Sequence, residues 1–115
     1  YEFHDQSVNR KYTDGKKTVA EADVVLENGE YILLAEIKTE PRGEDVDEHI
    51  ARIEKVRAHM DRRNDRRKIL GAIAGGVVPD KVLAYAQGGG LFVITLSGES
   101  AALAALPEGF TPRVW

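Results

Sequence analysis

The chain contains no cysteine. That removes a disulfide framework, cysteine-ligated zinc and a thiol nucleophile. It has one methionine, one tryptophan and three histidines, and aromatic residues make up only 7%. There is little aromatic interleaving in its basic stretch, so stacking on single-stranded bases is not signalled. No apolar run approaches the ~18 residues of a membrane-spanning helix. No secretory leader is visible at the start of the sequence, so the cytoplasm is the expected compartment. The glycines do not form a cofactor motif. Gly88-Gly89-Gly90 lacks the Lys-Ser/Thr and following helix of a phosphate loop, and Gly71, Gly75 and Gly76 do not fit a dinucleotide fingerprint. No organic cofactor is expected.

What remains is 115 residues of globular composition, 43% hydrophobic and 30% charged. Length and composition predict one domain over residues 1–115, with one core. The net charge of −3 argues against coating nucleic acid by bulk electrostatics. The charge is unevenly spread. Arg52 to Lys68 holds eight basic and three acidic residues, a local +5 that leaves −8 elsewhere. Within it, Arg62, Arg63, Arg66, Arg67 and Lys68 are candidate contacts to a nucleic-acid backbone, or else a solvated helix end and loop.

Two hairpin signals stand near the front, Asp14-Gly15 and Asn28-Gly29, each between strand-like runs. They predict a three-stranded antiparallel meander over about Phe3–Thr39. Pro41-Arg42-Gly43 ends it. Val46, Ile50, Ile53, Val56 and Met60 then recur at helical spacing and predict a helix over about Glu44–Arg63. Acids crowd its first turns and arginines its last, as the helix dipole favours. Lys68–Val78 reads as a buried strand thinned by glycine, Pro79–Gln87 as a short helix, and Leu91–Leu96 as another buried strand. Ala101–Leu106 fits a short strand or a helical turn. The expected class is α/β, a mixed sheet of α+β character with the order β-β-β-α-β-α-β and helices packed on the sheet.

The second hairpin carries the chemistry. A two-residue Asn28-Gly29 turn makes paired positions sum to 57, so Val25 faces Ile32 and Glu21 faces Glu36. Side chains alternate between faces. Ala22, Val24, Leu26, Tyr31, Leu33, Ala35 and Ile37 then form one core face. Val25, Ile32 and Leu34 share the other with Glu21, Asp23, Glu36 and Lys38, and a helix is expected to cover it. Carboxylates facing each other at the rim of a buried surface are costly. Lys38 or a hard divalent cation would offset the repulsion, and Asp23 and Glu36 are of the type that Mg²⁺ takes. A bulge or longer loop at the turn would shift the register. His49, beside the apolar stripe of the helix, reads as a half-buried residue. His4 and His59 have no visible partner.

Glu21-Ala22-Asp23 followed by Glu36-Ile37-Lys38, on a hairpin before an amphipathic helix, resembles the PD-(D/E)XK nuclease superfamily, with its restriction-endonuclease-like fold. The resemblance covers about Thr18 to Leu96 and points to prokaryotic members with an E-x-D…E-x-K pattern. It implies that Asp23 and Glu36 ligate Mg²⁺ (or Mn²⁺), with the Ile37 backbone carbonyl as a further ligand. It implies that Lys38 orients or deprotonates the attacking water and stabilises the developing charge. Glu21 is an extra ligand, an outer-sphere group or a rim residue. The sequence departs from the family pattern in three places. Ala22 stands where the family's proline precedes the first acid, and His49–Ile53 contains no glutamine. The chain also opens on strand-like Tyr1–His4 where the family has a helix. Either that helix lies upstream in a longer chain, or Glu2 or Glu21 substitutes for its acid.

The expected function is metal-dependent hydrolysis of DNA phosphodiester bonds, with Asp23, Glu36 and Lys38 catalytic. The alternative is a non-catalytic nuclease-like module of a larger protein that binds DNA or dimerises. DNA is the expected partner, and a homodimer is expected by analogy alone.

Overall fold

The computed structural model describes residues 1–115. The strands are β1 (Asp5–Asp14), β2 (Lys17–Glu27), β3 (Tyr31–Lys38), β4 (Lys68–Gly75), β5 (Phe92–Ser97) and β6 (Ser100–Leu103). Helix α1 (Gly43–Arg62) lies between β3 and β4, and α2 (Asp80–Gly88) between β4 and β5. The six strands form one mixed sheet in sequential order. β1, β2 and β3 are antiparallel neighbours; β4 joins β3 and β5 joins β4 in parallel; β6 closes the far edge antiparallel to β5. The protein is thus a mixed α/β domain. The segment after β5, open between strand and helical turn in the sequence, is the edge strand β6.

The periodicity of α1 determines how it seats. Val46, Ile53, Val56 and Met60 fall on its inner face and pack with Val25, Ile32, Leu34, Ile69, Ile73 and Val93 of the sheet. Ala86 of α2 joins the same core, so both helices cover one face of the sheet. The first turn of α1 is fixed by Asp45, whose carboxylate accepts the Arg42 backbone N–H at 2.8 Å. Gly71 of β4 permits the close approach of the core above it: a Cβ there would sit 2.6 Å from both Ile53 and Leu91. The opposite face holds a smaller cluster of Leu33, Ala35, Leu70 and Ala72, against which Phe3, Val24 and Phe92 pack.

Three details of the hairpins differ from expectation. The β1–β2 loop is Gly15-Lys16, because Asp14 still pairs with Lys17, and Gly15 supplies the positive φ of +62°. The β2–β3 connection is longer than two residues. The Asn28 Oδ1 accepts the N–H groups of Glu30 and Tyr31, which closes a three-residue loop of Asn28, Gly29 and Glu30. Pairing therefore starts at Glu27 with Ile32, and paired positions sum to 59. A shift of two changes the partners of the paired residues Val24–Glu27 and Ile32–Ala35 but leaves them on their faces.

The third difference is a face inversion in β2. Val25 points into the helix-covered core, yet so do Ala20 and Ala22, while Val24 joins the other face. Strict alternation cannot place 20, 22 and 25 together. The break falls at Asp23, opposite Asn9 of β1, which has a φ of +50°. Asn tolerates that left-handed conformation better than most residues, and both strands change face there.

Candidate functional site

The β2–β3 ladder stops at Val24 with Ala35. The next pair in that register is Asp23 with Glu36, and here a side chain replaces the ladder. The Asp23 carboxylate accepts the Ile37 backbone N–H at 3.0 Å. In a strand the N–H and C=O of one residue leave on the same edge. The Ile37 carbonyl therefore also points to the β2 edge, beside Asp23 and beyond the last ladder pair. Its side chain is exposed on the helix-free face.

Glu36 points beneath α1 and is only 7% exposed. Burial raises its carboxyl above the usual range, and the adjacent Asp23 carboxylate raises it further. Arg52 of α1 opposes both effects, donating to the Glu36 Oε2 at 2.8 Å. Lys38, two residues along the same face, places its Nζ 3.9 Å from the Oε1. Gly75 of β4 gives this end room: a Cβ there would lie 2.5 Å from Pro41 and 3.1 Å from the Lys38 carbonyl.

His49 is fully buried, one turn before Arg52. Its partners fix its tautomer. A backbone carbonyl only accepts, so the Nε2–H donates to Leu34 at 3.0 Å; a guanidinium only donates, so the Nδ1 accepts from Arg52 at 3.0 Å. Burial pushes the imidazole down to about 4, so it is neutral at pH 7. One arginine nitrogen thus serves both the histidine and Glu36. The expectation of a half-buried structural histidine understated its burial and missed its link to Glu36. By sequence Arg52 belongs to the basic stretch; in the structure it belongs to the site. The signal was present: His49 and Arg52 are three apart, so they lie on one helix face, and that face covers Glu36.

The structure thus brings Asp23, Glu36, Lys38 and the Ile37 backbone together. It does not bring Glu21 to them. The face inversion at Asp23 turns Glu21 away from the helix-covered face, and it is exposed opposite Lys11. No group of three or more histidine, aspartate or glutamate side chains converges to hold a metal. The available donor set is two carboxylates and a backbone carbonyl.

The predicted basic contacts sit elsewhere. Lys68 pairs with Tyr31 at the start of β3, while Lys38 is at its end, seven residues or ~23 Å away. Arg67 is engaged by Asp65 and Glu27 at 2.7 and 3.3 Å, and Lys68 lies 3.7 Å from Glu30. Arg62 pairs with Asp14, and Arg63 donates to the Thr13 carbonyl. Arg66 is exposed and makes no ion pair. His59 has the partner the sequence concealed: it meets Asp14 at 3.1 Å. No helix is long and apolar enough to cross a membrane. The chain matches no family model, no curated protein and no solved structure.

Proposed function

We propose that the chain is a divalent-metal-dependent nuclease of the PD-(D/E)XK type, built on a restriction-endonuclease-like core, that hydrolyses DNA phosphodiester bonds. The observation that supports this most is the meeting of Asp23 and Glu36 where the β2–β3 ladder opens, with Lys38 beside them. The Asp23 carboxylate adds to the cost of ionising buried Glu36, and a cation relieves it. The donors suit Mg²⁺ or Mn²⁺, which take oxygen ligands and keep several waters. Asp23 has one oxygen free of the Ile37 N–H, Glu36 has one free of Arg52, and the Ile37 carbonyl lies on the same edge. When bound, the ion supplies Lewis-acid polarisation of a phosphoryl oxygen and a water of lowered pKa. Asp23 and Glu36 hold it, and the buried contact with Arg52 keeps Glu36 in one orientation. Lys38, half exposed at the rim, donates to the attacking water or to the charge that develops on phosphate.

A second reading has its own support. Arg52 already neutralises Glu36 and no third carboxylate joins the pair, as expected of a nuclease-like module that binds DNA or dimerises without cutting. The test is cleavage of labelled duplex, single-stranded and branched DNA in Mg²⁺ and in Mn²⁺, with Glu36→Gln alongside. Cleavage by the parent and its loss in the variant is the expected result. No cleavage of any substrate overturns the nuclease reading in favour of the second.

A further inference from the structure

Beside the carboxylate pair, α1 and the start of β2 enclose a hollow of about 290 Å³. Its floor is small and apolar, formed by Val19, Ala20 and Ala51, and Arg52 stands at one end. A second hollow of about 440 Å³ shares Val19 and Lys55 with the first and runs on to Lys17 and the Asp14–Arg62 pair. The two form one trough along the helix. Arg52, Lys55 and Arg62 are spaced three and seven apart, so a single face of α1 lines it over ~15 Å. Arg52 and Arg62 are both engaged within the protein. Lys17 and Lys55 are exposed and take part in no ion pair. Glu48 is the one carboxylate in the hollow next to Arg52.

We infer that this trough seats the phosphate backbone of a DNA strand, with Lys17 and Lys55 as its phosphate contacts, leading the strand to Arg52 and the carboxylate pair. The inference rests on the nuclease reading for the identity of the nucleic acid. The observations favour the trough over the Arg66–Lys68 segment. Its small residues let a backbone approach, its two lysines have no competing carboxylate partner, and it is continuous with the site through Arg52. Arg67 and Lys68 have such partners and lie at the other end of the sheet. Asp14 gives the trough a fixed far end, since it ties the β1–β2 turn to both His59 and Arg62.

The test is fluorescence anisotropy of a labelled 25-base-pair duplex in EDTA, where no metal-dependent cleavage occurs, over a range of salt. Parent, Lys17→Glu/Lys55→Glu and Arg66→Glu/Lys68→Glu proteins are compared, with circular dichroism confirming that each folds. The trough variant should bind at least ~10-fold more weakly, and the alanine pair Lys17→Ala/Lys55→Ala should lower the salt slope by about 2. The Arg66/Lys68 variant should bind within twofold of the parent. Equal losses in both charge-reversal variants, a larger loss at Arg66/Lys68, or no binding by the parent overturns the inference. Binding by Asp23→Asn with no cleavage in Mg²⁺ would show that the trough and the hydrolytic site fail independently.

Discussion

The two ends of β3 handle charge in opposite ways. At its start, Glu27 meets both guanidinium nitrogens of Arg10 at 2.8 Å, with Arg67 and Asp65 adjoining. Opposite charges alternate, and the arginines hold the Glu27 and Asp65 carboxyls below the usual range. At its end, Asp23 meets Glu36, one arginine nitrogen is divided between Glu36 and His49, and the Glu36 carboxyl is pushed up. The first arrangement stabilises the fold. The second is one a fold would discard unless something else used it, and a carboxyl raised by burial and by a neighbouring carboxylate is a recurrent mark of functional sites.

The largest expected effect that separates the ends is on activity. Glu36→Gln and Asp23→Asn should each lower cleavage by about 10³-fold or more, with Lys38→Ala about 10²-fold, by analogy with the removal of a single group that stabilises the transition state. Glu27→Gln should leave the cleavage rate unchanged. Comparable losses at both ends would mean that the assay reads folding rather than chemistry.

Next in size is a pH effect carried by His49. Its folded value of about 4 lies below the ordinary 6.5. Between these values the unfolded chain binds a proton that the folded chain does not. The stability contributed is full above pH 6.5 and is lost as pH falls towards 4, by up to ~3 kcal/mol. Glu36 acts with the opposite sign, since its raised carboxyl keeps its proton longer when folded and costs stability as pH rises above 4.5. Urea unfolding across pH 4–7 should therefore show a flatter acid limb for His49→Gln and a steeper one for Glu36→Gln. An unchanged slope in His49→Gln contradicts a neutral, buried imidazole.

A smaller effect concerns the balanced end. Glu27→Ala strands Arg10, which is only partly exposed, and removes the second partner of Arg67, and should cost about 2 kcal/mol in chemical denaturation. Asp23→Asn without metal should cost nothing or add a few tenths of a kcal/mol, because it removes repulsion while an amide oxygen still accepts the Ile37 N–H. A loss at Asp23 as large as that at Glu27 would erase the distinction between the two ends.

Much of this was legible in the sequence where local rules dominate. The apolar spacing of α1 located it within a residue, as Gly43–Arg62, because one face must meet the sheet whatever the topology. The faces of Val25, Ile32, Leu34 and Glu36 were legible from alternation alone, since the register moved by two rather than one. Glu21 was not, because its face depends on Asn9, twelve residues away on another strand, adopting a left-handed conformation opposite Asp23. The partners of Glu36 were hidden for a similar reason. Arg52 belongs by composition to a basic stretch, and only the packing of α1 over β3 joins it to a carboxylate sixteen residues earlier. Arg67 and Lys68 were legible as charges but not as charges already engaged by Glu27 and Glu30.

The most direct test of the contrast is thermal unfolding against Mg²⁺ and Mn²⁺ concentration for the parent, Asp23→Asn and Glu27→Gln proteins. A cation held by the folded chain stabilises it by RT ln(1 + [L]/Kd), about 2.7 kcal/mol at a hundredfold excess over Kd. The account predicts a midpoint that climbs with metal in the parent and in Glu27→Gln and stays level in Asp23→Asn. A level midpoint in the parent up to tens of millimolar metal, or an equal climb in Asp23→Asn, would contradict it.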